Sequence, residues 1–300
     1  MTLCPAAAAL LVVVAAIAAA GCGGSDASQA VSAGGGWTHI ASTLEPGLDP
    51  DSENVCARGD PACVEAVLAE MDERLWKLGA ACDHDAAFLL MYREVTAAVA
   101  GSERFTAPAG LNHLDAVFAA LYFDAVDAWQ AGADADVPRA WRIAFAAARD
   151  RRVSGVGDML LGMNAHISRD LPFALAAVWQ GKAPSGKADF DRVNELLTDV
   201  QEPMLAEVAR RLDPTVDDFT LPALDVDENG VGRLIAAWRA EAWLNAERIA
   251  RAETPAERRA AEALVESQAA VRALAIRTAT GYIPFLTSTR PRDAWCAEHG

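Results

Sequence analysis

A histidine and an aspartate four residues apart, His166 and Asp170, are the side chains of this sequence best placed to do chemistry. At about 100° per residue they fall beside the apolar stripe of one helix, which includes Met159, Met163 and Ile167. Titratable side chains directed at a core cost free energy unless they are paired or hydrogen-bonded. An aspartate that orients a histidine makes a general base, and both side chains are also metal ligands. The spacing therefore predicts a catalytic pair at His166 and Asp170 that could also bind a divalent metal.

Further polar residues fall on or beside the apolar stripes of neighbouring helices. Asp115 is the third candidate catalytic residue, and the candidate binding residues are Arg152, Asn164 and Asn194. By contrast, His113 falls on the opposite face of its helix and is predicted to be solvated. Short connections favour antiparallel neighbours, so Asp115, Arg152 and Asn194 are expected to converge on the histidine–aspartate pair.

Two interpretations of this polar set remain open from the sequence. In the first, the set is the site of a hydrolase-like enzyme that could use a divalent metal as cofactor. In the second, it is a buried network in which Asp170 pairs with Arg152, while His166 and Asn194 satisfy helix backbone groups. The second interpretation leaves a non-catalytic protein that binds a small molecule or has a structural role in the cell envelope. Whether the protein is an enzyme is undecided at this level.

The elements that must position these residues are helices, since apolar residues recur with helical spacing and no window alternates with period two. We predict one all-α, bundle-like domain of about eight helices over residues 55–300. Pro172 and Pro203 are expected to kink or split the fifth and sixth helices. The predicted helices span 61–79, 84–101, 109–131, 137–153, 155–180, 187–211, 229–252 and 255–280.

The N-terminus has the pattern of a bacterial lipoprotein signal. An apolar run from Ala6 to Ala20 ends in Gly21-Cys22, and small residues before a cysteine are typical of lipidation at its thiol. The positive charge usual before such a run is missing, because Met1–Pro5 contains no Lys or Arg. We predict a signal peptide over 1–21 and a lipidated Cys22 that starts a Gly/Ser-rich tether over 22–54. The mature protein would be anchored in the membrane through its N-terminal lipid, in the bacterial cell envelope and outside the cytoplasm.

Cysteine usage agrees with export. Besides Cys4 in the predicted signal and Cys22, the chain has four cysteines, which suit two disulfides in an oxidising compartment and allow three pairings. Cys56 and Cys63 bracket a turn-rich segment and are predicted to pair locally, which leaves Cys82 to pair with Cys296.

Charge and composition exclude several function classes. The formal net charge is −16, so the chain repels polyphosphate and nucleic acid is excluded as a partner. Hydrophobic residues make up 52% of the sequence, which excludes a disordered or low-complexity protein. The expected partners are the membrane, through the lipid, and a small-molecule ligand.

Residues 108–200 resemble an uncharacterised, largely actinobacterial family of helical proteins known only as a domain of unknown function. Four segments carry the resemblance, at 114–122, 137–141, 160–172 and 189–194, and the most specific reads LLGMNAHISRDLP at 160–172. The resemblance implies a helical fold and assigns no activity. The lipidation signal, the tether and the four further cysteines look like additions to the family pattern.

Overall fold

The structure, a computed structural model, describes most of the region predicted to fold. The described residues are 37–182, 185–216, 228–283 and 285–299, without the side chains of 228 and 229. The predicted signal peptide, Cys22 and the tether as far as residue 36 lie outside the described residues. Within the described ranges, no helix is both long enough and apolar enough to cross a membrane.

Every regular element in the described ranges is helical, which confirms the predicted all-α class. Extended pairing is limited there to one isolated bridge between Val153 and Gly281. In chain order the elements are α1 (Trp37–Ser42), α2 (Pro61–Ala80), α3 (Ala86–Ala100), α4 (Pro108–Gln130), α5 (Arg139–Arg149), α6 (Gly155–Met163), a π turn (Asn164–Asp170), α7 (Leu171–Trp179), α8 (Lys187–Arg211), a 3-10 turn (Pro214–Val216), α9 (Glu228–Ala250), α10 (Pro255–Ala279) and α11 (Arg290–His299).

Local sequence signals explain where several helices begin. The Asp60 carboxylate accepts a hydrogen bond from the Ala62 amide at the start of α2. Thr254 and Glu257 form a reciprocal capping box at the start of α10, as their spacing indicates. The short helices α1 and α11 lie outside the predicted segments. Because α1 buries Trp37 and Ile40, the folded part begins inside the segment predicted as tether.

The centre of the fold is the continuous helical segment formed by α6, the π turn and α7. Most of its residues are buried, because α3, α4, α5, α9 and α10 pack around it. A helix surrounded in this way has apolar residues on every side rather than on one stripe. The segment that carries His166 and Asp170 is therefore the core helix of the bundle.

The two prolines behave differently from each other. Pro172 follows directly after the π turn, in which the Leu171 amide donates to the His166 carbonyl five residues earlier. This shift in hydrogen bonding accommodates a residue that has no N–H to donate, so the helix continues with a π turn rather than a break. Pro203 does not split α8, because it lies on the exposed side, where water can satisfy the carbonyl that it leaves free.

Both predicted disulfides are present. Cys56 is bonded to Cys63 and closes the loop before α2. Cys82 is bonded to Cys296, which fastens α11 to the end of α2 across a sequence separation of 214 residues.

Candidate functional site

His166 and Asp170 form a buried hydrogen-bonded pair, as their spacing predicts. His166 Nδ1 lies 3.0 Å from Asp170 Oδ2, and the two residues are 3% and 0% exposed. The Trp141 indole donates to the same Oδ2 at 2.8 Å, and Arg169 Nη1 donates to Oδ1 at 2.9 Å. Asp170 is thus a carboxylate with three donors around it. His166 must donate from Nδ1, which leaves Nε2 as an acceptor.

An aromatic shell surrounds the imidazole. The His166 ring stacks on Phe118, with centroids 3.5 Å apart and planes 9° apart, and the Tyr92 ring lies 4.4 Å away. Burial in this shell lowers the pKa of His166, so its ring is neutral at neutral pH. Nε2 is buried and has no hydrogen-bond partner. An Asp-oriented imidazole with a free Nε2 can accept a hydrogen bond or a proton.

A cavity of about 110 Å³ adjoins this imidazole. Its wall comes from α3, α4, α6, the π turn, α8 and α9, and it includes four of the six methionines of the chain. Methionine side chains are flexible and adapt to irregular shapes. The lining residues with apolar side chains are Phe88, Met91, Val95, Phe118, Met159, Met163, Ile167, Val193, Leu197, Met204, Leu205, Val231, Ile235 and Ala236.

One part of the cavity wall is polar. Arg239 of α9 lies there with Asn194 of α8, and Arg239 Nε donates to Asn194 Oδ1 at 2.7 Å. Arg239 Nη2 donates to the Phe190 carbonyl at 2.8 Å, and the guanidinium lies 4.2 Å from the centre of the Phe190 ring. Burial lowers the pKa of Arg239 to about 10, so the group is still a cation at neutral pH. The predicted binding residue Asn194 therefore lies in the cavity wall.

Asp115 lies outside the cavity wall. It is half-buried, and its Oδ2 is buried without a hydrogen-bond partner. Burial raises the pKa of Asp115 to about 7. Its role as a catalytic residue stays a prediction, although its charge is felt by Tyr92, which does line the cavity.

The predicted inward position of Arg152 is wrong. Arg152 is exposed, because α5 ends at Arg149 and the helical wheel no longer applies beyond that point. The positive partner of Asp170 is Arg169, which also binds Glu266 of α10.

The prediction that His113 is solvated is also wrong. His113 is 1% exposed, and its two ring nitrogens lie 2.9 Å and 2.8 Å from the carbonyl oxygens of Cys56 and Pro46. The loop before α2 covers this face of α4, and a helical wheel cannot anticipate a loop. Asn164 is fully buried as well, but it donates to the Ala269 carbonyl of α10 and so joins two helices rather than lining the cavity.

A metal site at His166 and Asp170 stays a prediction. In the described ranges, no three His, Cys, Asp or Glu side chains are grouped so that they could hold a metal ion. A metal bound at Asp170 would compete with the three donors that the two carboxylate oxygens already accept.

Arg239 and the part of the cavity wall formed by α3 and α9 were not predicted from the sequence. A signal for Arg239 was available, since it occupies a stripe position between Ile235 and Trp243. A charged residue at such a position is buried together with its stripe. Which helices face it cannot be read from periodicity.

Comparison with known proteins supports the resemblance found in the sequence. No curated protein and no solved structure matches the chain. The model of a family of unknown function, DUF5995, matches residues 64–279, which run from the first turn of α2 to the end of α10 and include the whole cavity wall. With most of its length inside that match, the chain belongs to the DUF5995 family.

Proposed function

We propose that this protein is an exported, lipid-anchored binding protein that holds a small molecule with an apolar body in the cavity beside His166. The observation that carries the proposal is an apolar cavity lined in part by His166, whose Nε2 is buried without a hydrogen-bond partner. Pockets that bind small molecules have this composition, with apolar walls and a few polar groups that orient the ligand.

The size of the cavity indicates the size of the ligand. An engineered apolar cavity of about 150 Å³ takes up benzene, so about 110 Å³ suits a small ring or the inner part of an alkyl chain, whose remainder can extend through the open side of the cavity. A hydroxyl or amine on that body would donate to His166 Nε2 and satisfy an acceptor that is otherwise buried alone.

Two features support the exported, anchored part of the proposal. The Gly21-Cys22 pair follows an apolar run, as in lipoprotein signals. The two disulfides are typical of a protein that folds in an oxidising compartment.

Calorimetric titration of the purified mature chain with octan-1-ol tests the binding function. Octan-1-ol combines an alkyl chain with a hydroxyl that can donate to His166. Ala236→Phe places a ring in the cavity and should weaken binding by about tenfold or more. Ala237→Phe is the matched control, because Ala237 is the next residue of α9 and is exposed. Absence of binding to the wild type, or equal binding by the two variants, would contradict the proposal.

A second candidate function, ester hydrolysis, is favoured by the Asp170–His166 pair. His166 Nε2 would take a proton from water, whose oxygen attacks the ester carbonyl carbon. The carbon–oxygen bond to the leaving group then breaks, and His166 returns the proton to the alcohol that leaves. Release of octanoate from methyl octanoate should be lost in His166→Gln and kept in His39→Gln, since His39 is exposed. If the wild type releases no octanoate, hydrolysis is contradicted and only the binding function remains.

A further inference from the structure

Arg239 is a buried cation that has no carboxylate partner among the described residues. It is 7% exposed, and its two hydrogen bonds go to neutral oxygens, those of Asn194 and the Phe190 backbone. Burial of a charge costs free energy, which neutral acceptors offset only in part. This arrangement is unusual in a chain with 42 acidic residues.

A second buried arginine among the described residues has a different environment. Arg292 is 4% exposed and contacts two buried carboxylates, Asp158 at 2.5 Å and Asp213 at 3.7 Å. Two carboxylates thus contact the guanidinium of Arg292, whereas Arg239 interacts only with the more distant charge of Asp191 and has no described carboxylate at ion-pair distance. The difference between the two sites is that Arg239 lines the cavity.

The free donors of this polar wall suit an anion. With Nε and Nη2 engaged, Arg239 has Nη1 left to donate. Since Asn194 Oδ1 accepts from Arg239, the Asn194 amide nitrogen is also left as a donor on the same stretch of wall. Two donors on a cation and its neighbour match the two oxygens of a carboxylate.

We propose that the ligand is an organic acid, whose carboxylate binds Arg239 and Asn194 while its alkyl or aromatic body fills the cavity. This inference rests on the proposed binding function and names the chemical class of its ligand. The ligand supplies the counter-ion that the protein lacks, so the charge of Arg239 is neutralised only in the complex. The apolar body is held by the methionine-rich part of the wall.

The test compares two probes of equal chain length, octanoate and octan-1-ol, in calorimetric titrations of the mature wild-type chain. Octanoate should bind about tenfold or more tightly than octan-1-ol near neutral pH. The preference should disappear below about pH 4, where a carboxyl group takes up its proton.

Arg239→Met removes the charge and keeps much of the length of the side chain. It should remove the preference for octanoate while octan-1-ol still binds. Arg239→Lys keeps a cation but not the fork of donors, and should retain part of the preference. Arg251→Met is the matched control, because Arg251 is an exposed arginine just beyond the end of α9 and outside the cavity wall.

Each outcome decides something. Octanoate that binds no more tightly than octan-1-ol to the wild type overturns the inference and leaves the binding function in place. A preference that survives Arg239→Met also overturns it. If neither probe binds the wild type, the proposed binding function is contradicted, and the inference about its ligand is contradicted with it. If Arg239→Met does not fold, the wild-type comparison and Arg239→Lys still give the answer.

Discussion

At the scale of single residues, burial decides what each polar side chain of the core can do. The Asp170 carboxyl group accepts hydrogen bonds from three donors, whereas Asp115 has a buried oxygen with none. His166 is neutral at neutral pH because its burial among aromatic side chains lowers its pKa, and this effect outweighs the opposite effect of its hydrogen bond to Asp170. Burial and hydrogen bonding thus give the two aspartates different properties, since Asp115 resists ionisation and Asp170 accepts three hydrogen bonds, and they leave His166 as a neutral base.

Asp115→Asn should stabilise the protein at alkaline pH. Burial raises the pKa of Asp115 from 3.8 to about 7, so the folded state binds this proton more tightly than the unfolded state. The stability contributed by this group therefore rises as pH falls from about 7 to about 4, and above pH 7 the ionised carboxyl is a cost. Asparagine removes that cost, which is about 1–3 kcal/mol at about pH 8 and little at about pH 4.

Urea unfolding of Asp115→Asn at the two pH values measures this effect. The exposed Asp51 provides the control variant, Asp51→Asn, which should show no such dependence on pH. A loss of stability in Asp115→Asn at alkaline pH would mean that the carboxylate has a favourable role in the folded state.

His166→Ala should lower the free energy of unfolding by about 1–3 kcal/mol, because Asp170 Oδ2 loses a donor and the aromatic shell loses a ring. Thermal unfolding with and without a chelator is the measurement. If the chelator does not change the stability of the wild type and His166→Ala is destabilised, the pair belongs to a structural hydrogen-bond network at Asp170. A variant of unchanged stability that has lost a wild-type response to the chelator would instead support the metal site predicted from the sequence.

At the scale of elements, the helix made of α6, the π turn and α7 brings the pair and the cavity together. Small residues let its neighbours approach, and Gly162 is the clearest case, since a Cβ there would overlap the Phe88 ring of α3. The π turn lies between these contacts and Pro172 and contains both His166 and Asp170. Such turns often occur at functional sites.

Gly162→Ala should cost about 1–3 kcal/mol of stability, because Phe88 must move or the two helices must separate. Phe88 also lines the cavity, so binding of octan-1-ol should weaken in the same variant. Chemical denaturation and calorimetry measure the two effects. Gly110→Ala is the control, since an added Cβ in the first turn of α4 meets nothing within 4 Å. It should be neutral or stabilising by up to about 1 kcal/mol. Equal effects of the two substitutions would show that α3 and α6 are not closely packed.

At the scale of the whole molecule, two disulfides and a set of buried contacts hold the ends of the folded part to the bundle. Cys82–Cys296 and Arg292 fix α11, and Trp37 fixes α1 by packing against Phe123 at a centroid distance of 5.1 Å. Closing a long loop with a disulfide restricts the unfolded chain strongly. The folded part is thus a closed unit that a tether could hold at a membrane surface.

Cys22→Ser should release the protein from the membrane fraction and abolish labelling by a fatty-acid precursor, because the thiol is the proposed site of lipid attachment. Cell fractionation and metabolic acyl labelling measure the two effects. Cys4→Ser, inside the predicted signal peptide, should leave both unchanged. A Cys22→Ser protein that stays labelled and membrane-bound would rule out the lipidation site.

The all-α class, the ends of most helices, both disulfide pairings and the His166–Asp170 contact were predictable from the sequence. These features depend on short-range patterns, such as helical periodicity, capping residues and cysteine spacing, or on a separation of four residues within one helix. Family membership was predictable too, since it depends on local segments such as 160–172.

Only the tertiary structure decided which elements meet. A helical wheel gives the direction of a side chain within its own helix but not the element opposite. It could not show that Trp141 and Arg169, rather than Arg152, bind Asp170. Nor could it show that a loop covers His113, or that Arg239 shares a cavity with His166. The cavity exists because five helices and a π turn, distant in sequence, leave a space between them, and no local pattern records that space.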